Sequence, residues 1–307
     1  MEIFFLNFFN CLIMSLFSLV GVAFLVLMER KMLGYLQFRK GPNKVGVWGV
    51  FQPFSDAVKL YTKEFFFPCK SNFFIYWFSP FLSMFISLII WFMFPYTLIV
   101  VSWKFSILFM FMVMSFSVYG VMLSGWSSNS SYSLLGCMRV LAQSISYEVS
   151  FFILILSTIF FTKSLSIYSF CKFQNLNYFF FLMIPLFIMI FTSFLAELNR
   201  TPFDFSEGES ELVSGFNVEY GGAGFAFIFL AEYLSIIFSS SILCWCFLGS
   251  LTMNFIFFFK VSFLTLIIIL IRGVLPRYRY DKLMNLCWKI YLCSSLFLLL
   301  FYSSISI

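Results

Sequence analysis

The chain of 307 residues is 62% hydrophobic and only 10% charged, with a formal net charge of +6 and a mean hydropathy of +0.99. Soluble domains carry about 25% charged residues, so this composition excludes a soluble globular protein and indicates an integral membrane protein. The sequence has no histidine, which excludes a His-ligated haem, a His-containing zinc site and Ser-His or Cys-His nucleophile pairs.

Long apolar stretches recur along the whole chain. A helix needs about 20 apolar residues to cross the hydrocarbon core, and eight stretches meet that need. They predict an all-α polytopic membrane protein with about eight transmembrane helices in a single integral membrane domain, residues 1–307. The first is no secretory signal, because Glu2 replaces the positive n-region and the apolar run is too long. The predicted spans are residues 3–28, 73–94, 105–124, 141–161, 178–196, 225–248, 255–271 and 286–301.

The basic residues predict the orientation of these spans. Most of the 19 Lys and Arg residues fall in the odd-numbered loops, and cytoplasmic loops carry an excess of such residues. The odd loops should therefore face the cytoplasm-equivalent side, which is the matrix in a mitochondrion, with both termini on the other side. The 50 phenylalanines are typical of a T-rich coding strand and indicate a small AT-rich organellar genome. The predicted matrix loops are residues 29–72, 197–224 and 272–285.

The first long loop contains a second kind of helix. Polar residues recur at spacings of four and three from Gln52 to Lys63, apolar residues occupy the opposite side, and Pro53 falls in the first turn. This pattern predicts an amphipathic helix over Phe51 to Phe67 that lies at the membrane interface. We expect such interfacial helices in the long matrix loops.

Two glutamates interrupt predicted spans. Glu148 and Glu232 lie in apolar runs, where an acidic side chain costs about 2.5 to 3.5 kcal/mol. Each must either take up a proton, and could then relay protons, or pair with an Arg or Lys and hold two helices in register. Both readings stay open at this point.

The second long loop is acidic. It carries six acids against one base, Arg200, and crowded carboxylates cannot all ionise at low cost. One or more should stay protonated near pH 7, so the set could couple an event in the loop to the membrane glutamates. The six acids are Glu197, Asp204, Glu207, Glu209, Glu211 and Glu219.

Other motifs point away from familiar cofactors. The Gly-rich run at 221–224 precedes a span and has no strand before it, so it indicates a flexible helix entry and not a nucleotide site. The eight cysteines contain no C-x-x-C pair and are interpreted as small buried hydrophobes, with no metal site. A membrane cavity lined by aromatic, basic and acidic residues would suit a quinone.

Six runs carry a resemblance to a known family. They resemble the mitochondrially encoded quinone-chamber membrane subunits of respiratory complex I, the NADH-ubiquinone oxidoreductase, over essentially the whole chain. Mild departures occur around Arg139 and at Leu198. The runs are ERK at 29–31, RKGPNKVG at 39–46, QSISYEV at 143–149, AELNRTPFD at 196–204, EGESELVSGFN at 207–217 and PRYRYD at 276–281.

The resemblance implies a core subunit of a proton-translocating NADH:ubiquinone reductase in the mitochondrial inner membrane. Such a subunit forms the ubiquinone access tunnel and binds no redox cofactor itself, while flavin and iron-sulfur clusters belong to partner subunits. It implies other complex I subunits, ubiquinone and membrane lipids such as cardiolipin as partners, and no nucleic acid. The implied proton path is Glu148, Glu197 and Glu232, the acidic coupling loop is Asp204, Glu207, Glu209 and Glu211, and the quinone tunnel is Arg30, Arg39, Ala57, Phe229 and Arg272.

Two other classes of protein stay open. A stand-alone proton or ion transporter would explain the buried acids, but it predicts an internal repeat, and the two halves show no self-similarity. A membrane subunit of a related energy-converting hydrogenase would co-purify with a nickel-iron subunit. The Phe-rich composition favours the mitochondrial family over the hydrogenase.

Overall fold

A computed structural model describes residues 2–94, 104–174, 177–206, 208–249 and 254–306. Within these ranges the chain is built of helices joined by turns and loops, and no strand is found there. The prediction of an all-α protein is therefore confirmed. The α-helices are α1 (Glu2–Leu36), α2 (Gln52–Thr62), α3 (Phe73–Ile89), α4 (Ser106–Ser127), α5 (Ser131–Thr162), α6 (Ile167–Phe173), α7 (Phe179–Leu182), α8 (Ile184–Glu197), α9 (Glu209–Leu212), α10 (Gly222–Leu243), α11 (Phe255–Val274), α12 (Tyr280–Asn285) and α13 (Leu292–Ser306).

Seven helical segments in the described ranges are long and apolar enough to cross a membrane. The predicted span 178–196 differs, because there the chain forms the four-residue α7 and the 14-residue α8. Met183 separates the two with φ −131° and ψ 42°, and Pro185 follows in the first turn of α8. Proline lacks the N–H needed inside a helix, so the break at this position has a local cause. The seven segments are Phe9–Leu36, Phe73–Met93, Ser106–Ser127, Ser131–Thr162, Gly222–Leu248, Phe255–Val274 and Tyr280–Ile305.

Several helices extend beyond the predicted spans, and the difference is largest for α1 and α5. Helix α1 continues past Met28 to Leu36, so the first loop begins later than residue 29, and α5 begins at Ser131 and not at Leu141. In both cases a charged residue was taken as the end of a span. Glu29 and Arg139 each have an oppositely charged partner within the protein, so neither charge terminates its helix.

The interfacial helix α2 is shorter than predicted. It has Pro53 in its first turn, as expected, but ends at Thr62, because Lys63 adopts an extended conformation with φ −69° and ψ 143°. The aromatic residues that follow pack elsewhere: the ring of Phe65 stacks on Trp77 of α3 with centroids 5.1 Å apart. The predicted continuation to Phe67 is therefore wrong.

The long helices pack through small residues and a shared apolar core. Helix α3 lies between α4 and α10, and α5 packs against α4, α8 and α13. A Cβ on Gly120 of α4 would lie only 3.0 Å from Cβ of Ser83 on α3, which shows how closely the two helices approach. Without a hydrophobic force between helices in lipid, such close contacts stabilise the bundle.

The lysine in a predicted span has a structural explanation. Helix α10 ends in a π-helical turn, Cys244–Leu248, and Lys260 Nζ of α11 donates hydrogen bonds to the carbonyl oxygens of Leu248 and Gly249 at 2.7 and 2.9 Å. The ammonium also lies 4.6 Å from the ring centroid of Tyr178. Lys260 thus caps the end of a neighbouring helix.

The cysteines divide into two groups. Five are buried as predicted, whereas Cys69 and Cys293 are exposed and Cys11 is intermediate. Their interpretation as buried hydrophobes is therefore wrong for those three, because Cys69 lies in the loop before α3 and Cys293 and Cys11 lie on outer helix faces. The buried five are Cys137, Cys171, Cys244, Cys246 and Cys287.

Candidate functional site

Glu29 is the centre of a buried charge network. Its side chain, on α1, is only 6% exposed and forms a close ion pair with Arg272 of α11. Its second oxygen accepts a hydrogen bond of 2.5 Å from the Tyr233 hydroxyl on α10. A carboxylate removed from water is costly unless it is paired and hydrogen-bonded, and both conditions are met. Glu29 therefore joins α1, α10 and α11.

Arg200 connects this centre to a second glutamate. Its guanidinium nitrogens lie 3.9 Å from Glu29 Oε1 and 3.9 Å from Glu232 Oε2, and its carbon Cζ lies 4.6 Å from the ring centroid of Tyr233. Burial lowers the pKa of Arg200, but Tyr233, Glu232 and Glu29 raise it by more, and the net shift is upward. Arg200 therefore stays charged between two carboxylates.

For Glu232 the paired interpretation is thus supported. Two arginines, Arg200 and Arg272, face two glutamates, Glu29 and Glu232, so the charges of these four groups balance. Removing one of these four charged groups would leave another buried without a partner, which destabilises the folded protein.

A small enclosed cavity lies beside Arg200, lined by Thr201, Asp204, Glu232 and Arg272 among others. Thr201 Oγ1, Asn199 Oδ1 and Arg200 Nη2 are buried and have no hydrogen-bond partner among the described protein atoms. Buried polar groups are nearly always satisfied by protein or ordered water, and the cavity volume of about 10 Å³ is close to that of one water site. The arrangement is suited to a water that links the network to Asp204.

A larger cavity begins at Glu232. It has a volume of about 130 Å³, lies among α3, α4, α8 and α10, and is lined by both Glu197 and Glu232. The remaining wall is mostly apolar, but six serines interrupt it and, with the two carboxyl groups, offer polar partners for water. Its serines are Ser83, Ser87, Ser117, Ser124, Ser235 and Ser239.

Glu148 adjoins this cavity through Glu197. Helix α5, which carries Glu148, packs against α8, which ends at Glu197, and the two carboxyl groups interact electrostatically. Among the described residues Glu148 forms no ion pair, unlike Glu232. The structure thus brings the three predicted proton-path residues into one region, with Glu232 at the boundary to the charge network.

The acidic loop does not form a single cluster in its described part. Asp204 pairs with Arg277, Nη2 to Oδ2 3.0 Å, and Glu211 of α9 forms a close ion pair with Arg139 of α5. The predicted crowding is therefore relieved at these two acids by arginines from other segments. Glu207 and the side chain of Glu209 lie outside the described part of the chain.

The predicted quinone-tunnel residues fall into three places. Arg30 Nη1 contacts Asp56 Oδ2 at 2.5 Å and so ties α1 to α2. Arg272 belongs to the charge network, and Phe229 adjoins it, with its ring centroid 4.5 Å from that of Tyr233. Arg39 and Ala57 are exposed at the surface. Within the described residues, the five predicted tunnel residues do not form one contiguous cluster.

Sequence reasoning missed several members of these sites, among them Glu29, Tyr233 and Asp56, and also the arginines Arg139, Arg200 and Arg277. Glu29 was assigned to a loop because it follows the first apolar run. Tyr233 carried no signal except its position beside Glu232, and Asp56 was assigned to the solvated face of α2. The charged run from Glu29 to Lys31 at the end of a hydrophobic helix was the one available indication.

Taken together, these features define an all-α polytopic membrane protein with a charge-balanced network inside the helix bundle. Comparison with known proteins identifies the family within that class. A family model described as NADH dehydrogenase matches residues 9–303. The chain therefore belongs to the NADH dehydrogenase family.

Relatives match the chain over nearly its full length. The NADH-ubiquinone oxidoreductase chain 1 of Anopheles gambiae is 54% identical over 296 residues, which cover 96% of this chain and 94% of that protein. The protein of that name from Locusta migratoria is 51% identical over 298 residues, 97% and 95% of the two chains. The protein of that name from Ateles paniscus is 43% identical over 304 residues, 96% and 95% of the two chains.

Proposed function

We propose that this chain is a core membrane subunit of a proton-translocating NADH:ubiquinone oxidoreductase, respiratory complex I, in the mitochondrial inner membrane. Its relatives carry the name NADH-ubiquinone oxidoreductase chain 1. The observation that carries the proposal is Glu232, which lines a cavity together with Glu197 and six serines and also lies 3.9 Å from Arg200 of the buried charge network. Glu232 thus belongs to both the charge network and the cavity.

In this proposal the chain forms the access tunnel for ubiquinone. Arg30, Arg39, Ala57, Phe229 and Arg272 line the tunnel or its entry, together with partner subunits. Phe229 and Tyr233 offer aromatic surface, which suits the isoprenoid tail, while the arginines offer donors to the quinone oxygens. Ubiquinone is the substrate, and the chain holds no redox cofactor, since flavin and iron-sulfur clusters belong to partner subunits.

Coupling follows from charge balance. Reduction of ubiquinone takes up two electrons and two protons, so groups near the quinone lose protons or are repositioned. The acidic coupling loop, Asp204, Glu207, Glu209 and Glu211, responds first. Because Arg200 neutralises both Glu29 and Glu232, a new charge near the network changes how strongly Arg200 stabilises the Glu232 carboxylate. The proton affinity of Glu232 then changes, and protons move through the cavity to Glu197 and Glu148.

The remaining partners follow from the same assignment. They are the quinone-site subunits of the peripheral arm, the neighbouring membrane-arm subunits, and membrane lipids such as cardiolipin. We propose that the odd-numbered loops face the matrix and that both termini face the intermembrane space, as the distribution of Lys and Arg predicts.

The test is Glu197→Gln in the assembled enzyme. It removes the titratable group and keeps the side-chain shape. We expect proton pumping to fall strongly, and quinone reduction with it, while oxidation of NADH by an artificial flavin-site acceptor stays nearly unchanged. The matched control is Asp281→Asn, at a side chain that is 66% exposed. Normal pumping by assembled Glu197→Gln enzyme would contradict the proposal.

A further inference from the structure

An apolar pocket of about 330 Å³ lies between the linker after α2 and the first turns of α3 and α10. It shares no lining residue with the cavity of Glu197 and Glu232, so the proposed proton path does not account for it. Its volume is within the usual range of small-molecule sites. Aromatic rings form most of the wall, among them Phe65, Phe67, Tyr76, Trp77, Tyr220 and Phe227.

The two tyrosines of the wall offer only ring surface. The Tyr76 hydroxyl donates to the Glu219 carbonyl at 2.5 Å, and the Tyr220 hydroxyl lies 3.0 Å from Ser79 Oγ and 3.1 Å from Ser127 Oγ. Their rings stack on each other with centroids 4.3 Å apart. Since both hydroxyls are engaged elsewhere, the part of a ligand that enters must be apolar.

The mouth of the pocket opens beside strongly exposed aromatic residues. Phe66 and Phe74 are each 85% exposed and Trp77 is 50% exposed, and all three line the pocket. Aromatic residues at helix ends are typical of the level where lipid headgroups meet acyl chains. The pocket thus opens where a lipid could enter sideways from the bilayer.

A basic residue lies at the edge of this mouth. A Cβ on Gly222 would lie 3.7 Å from the carbonyl oxygens of both Lys63 and Glu64, so the backbone of Lys63 passes beside Gly222, and Lys63 is two positions before the pocket-lining Phe65. Lys63 is exposed, as are Lys59 and Lys70. An ammonium group at this level binds a phosphate well.

We propose that this pocket binds one acyl chain of a membrane phospholipid, whose phosphate pairs with Lys63. This inference rests on the proposed function, in which membrane lipids are partners, and assigns them a site. A ubiquinone tail would also fit apolar walls, but an ammonium group binds an anionic phosphate more strongly than the uncharged carbonyl oxygens of a quinone. The chemistry at the mouth therefore favours a phospholipid.

The experiment uses the assembled, detergent-purified enzyme and a phosphatidylglycerol with a photoreactive group in one acyl chain. Cross-linked peptides are mapped by mass spectrometry. We expect labelling within residues 65–81 that unlabelled phosphatidylglycerol suppresses. Gly221→Leu should reduce it several-fold, because a Cβ at Gly221 meets no atom within 4 Å and a longer side chain would fill the pocket.

Two further variants complete the design. Gly221→Ala is the matched control and should keep most of the labelling, since one methyl group fills little of the pocket. Lys63→Gln should reduce the labelling about fivefold, as expected for one basic residue near a lipid phosphate. Equal labelling of the original, Gly221→Leu and Lys63→Gln enzymes would overturn the proposal.

Two other outcomes would also overturn it. In the first, a ubiquinone analogue with a photoreactive tail labels the same peptide and the phospholipid does not compete. In the second, residues 65–81 cross-link to a partner subunit in place of the lipid. Labelling is measured in resting enzyme without NADH or quinone, so it is independent of pumping. Intact labelling with normal pumping by Glu197→Gln would contradict only the proposed function.

Discussion

The carboxylate of Glu29 forms a close ion pair with the guanidinium of Arg272, although 243 positions separate the two residues in the chain. The pair joins α1 to α11, and Tyr233 and Arg200 attach α10 and the loop after α8 to the same carboxylate. A change in the charge of any of these groups therefore changes the electrostatic energy of the others.

Replacing Glu29 by alanine should destabilise the subunit more than replacing it by glutamine. Glu29→Ala leaves Arg200 and Arg272 without their shared partner, and breaking a buried pair in this way costs about 3–5 kcal/mol. Glutamine keeps an acceptor for the Tyr233 hydroxyl. Thermal unfolding and the yield of assembled complex measure the difference. Equal stability of the two variants and the original chain would show that Glu29 is not the centre of the network.

Tyr233→Phe separates the hydrogen bond from the ring. The substitution removes the donor to Glu29 and keeps the ring beneath Arg200, so we expect a loss of about 1.5–3 kcal/mol, the range for hydrogen bonds to charged groups. A double-mutant cycle with Glu29→Gln measures the coupling between the two side chains. Strictly additive effects of the two substitutions would contradict a direct interaction.

Ser235→Leu should obstruct the cavity between Glu232 and Glu197. Ser235 lines that cavity, and an apolar side chain there displaces water without altering either carboxylate. We expect fewer protons pumped per NADH oxidised. The control is Ser262→Leu, at an exposed position on α11. An unchanged stoichiometry in Ser235→Leu would mean that protons do not pass this point.

Arg139 and Glu211 hold the acidic loop against α5. The Arg139 side chain is 30% exposed and that of Glu211 is 55% exposed, so Arg139→Gln should cost less than about 1 kcal/mol in stability. It should nevertheless increase protease cleavage within residues 208–214. The charge-reversed pair Arg139→Glu with Glu211→Arg should restore protection. Failure of the reversed pair to do so would argue against the ion pair.

The sequence predicted the apolar segments well, because hydropathy and length decide whether a helix can span a membrane. It could not predict where charged residues end a helix, as α1 shows. Glu29 looks like the start of a loop until Arg272 and Tyr233, which are distant in sequence, are placed beside it. The break at Met183 was missed for a different reason: the hydropathy is continuous across it, and the prediction rested on hydropathy and not on the local signal of Pro185.

The predicted acids illustrate the same limit at the candidate site. Glu148, Glu197 and Glu232 are visible in the sequence because a carboxyl in an apolar run is costly. Their different surroundings are not, since the partner of Glu232 is Arg200 from a loop, whereas Glu197 lines a cavity that also contains serines from α3, α4 and α10. Single hydroxyls on apolar helices carry no recognisable pattern, so the cavity could be found only from the packing of these helices.

The most direct test of the account is the number of protons pumped per NADH oxidised by enzyme that carries Glu232→Gln, reconstituted in sealed liposomes. Glutamine keeps the shape of the residue that belongs to both the charge network and the cavity, but it cannot exchange a proton. The account predicts that assembled enzyme still oxidises NADH with an artificial flavin-site acceptor and pumps far fewer protons with ubiquinone. An unchanged proton stoichiometry with ubiquinone would contradict it.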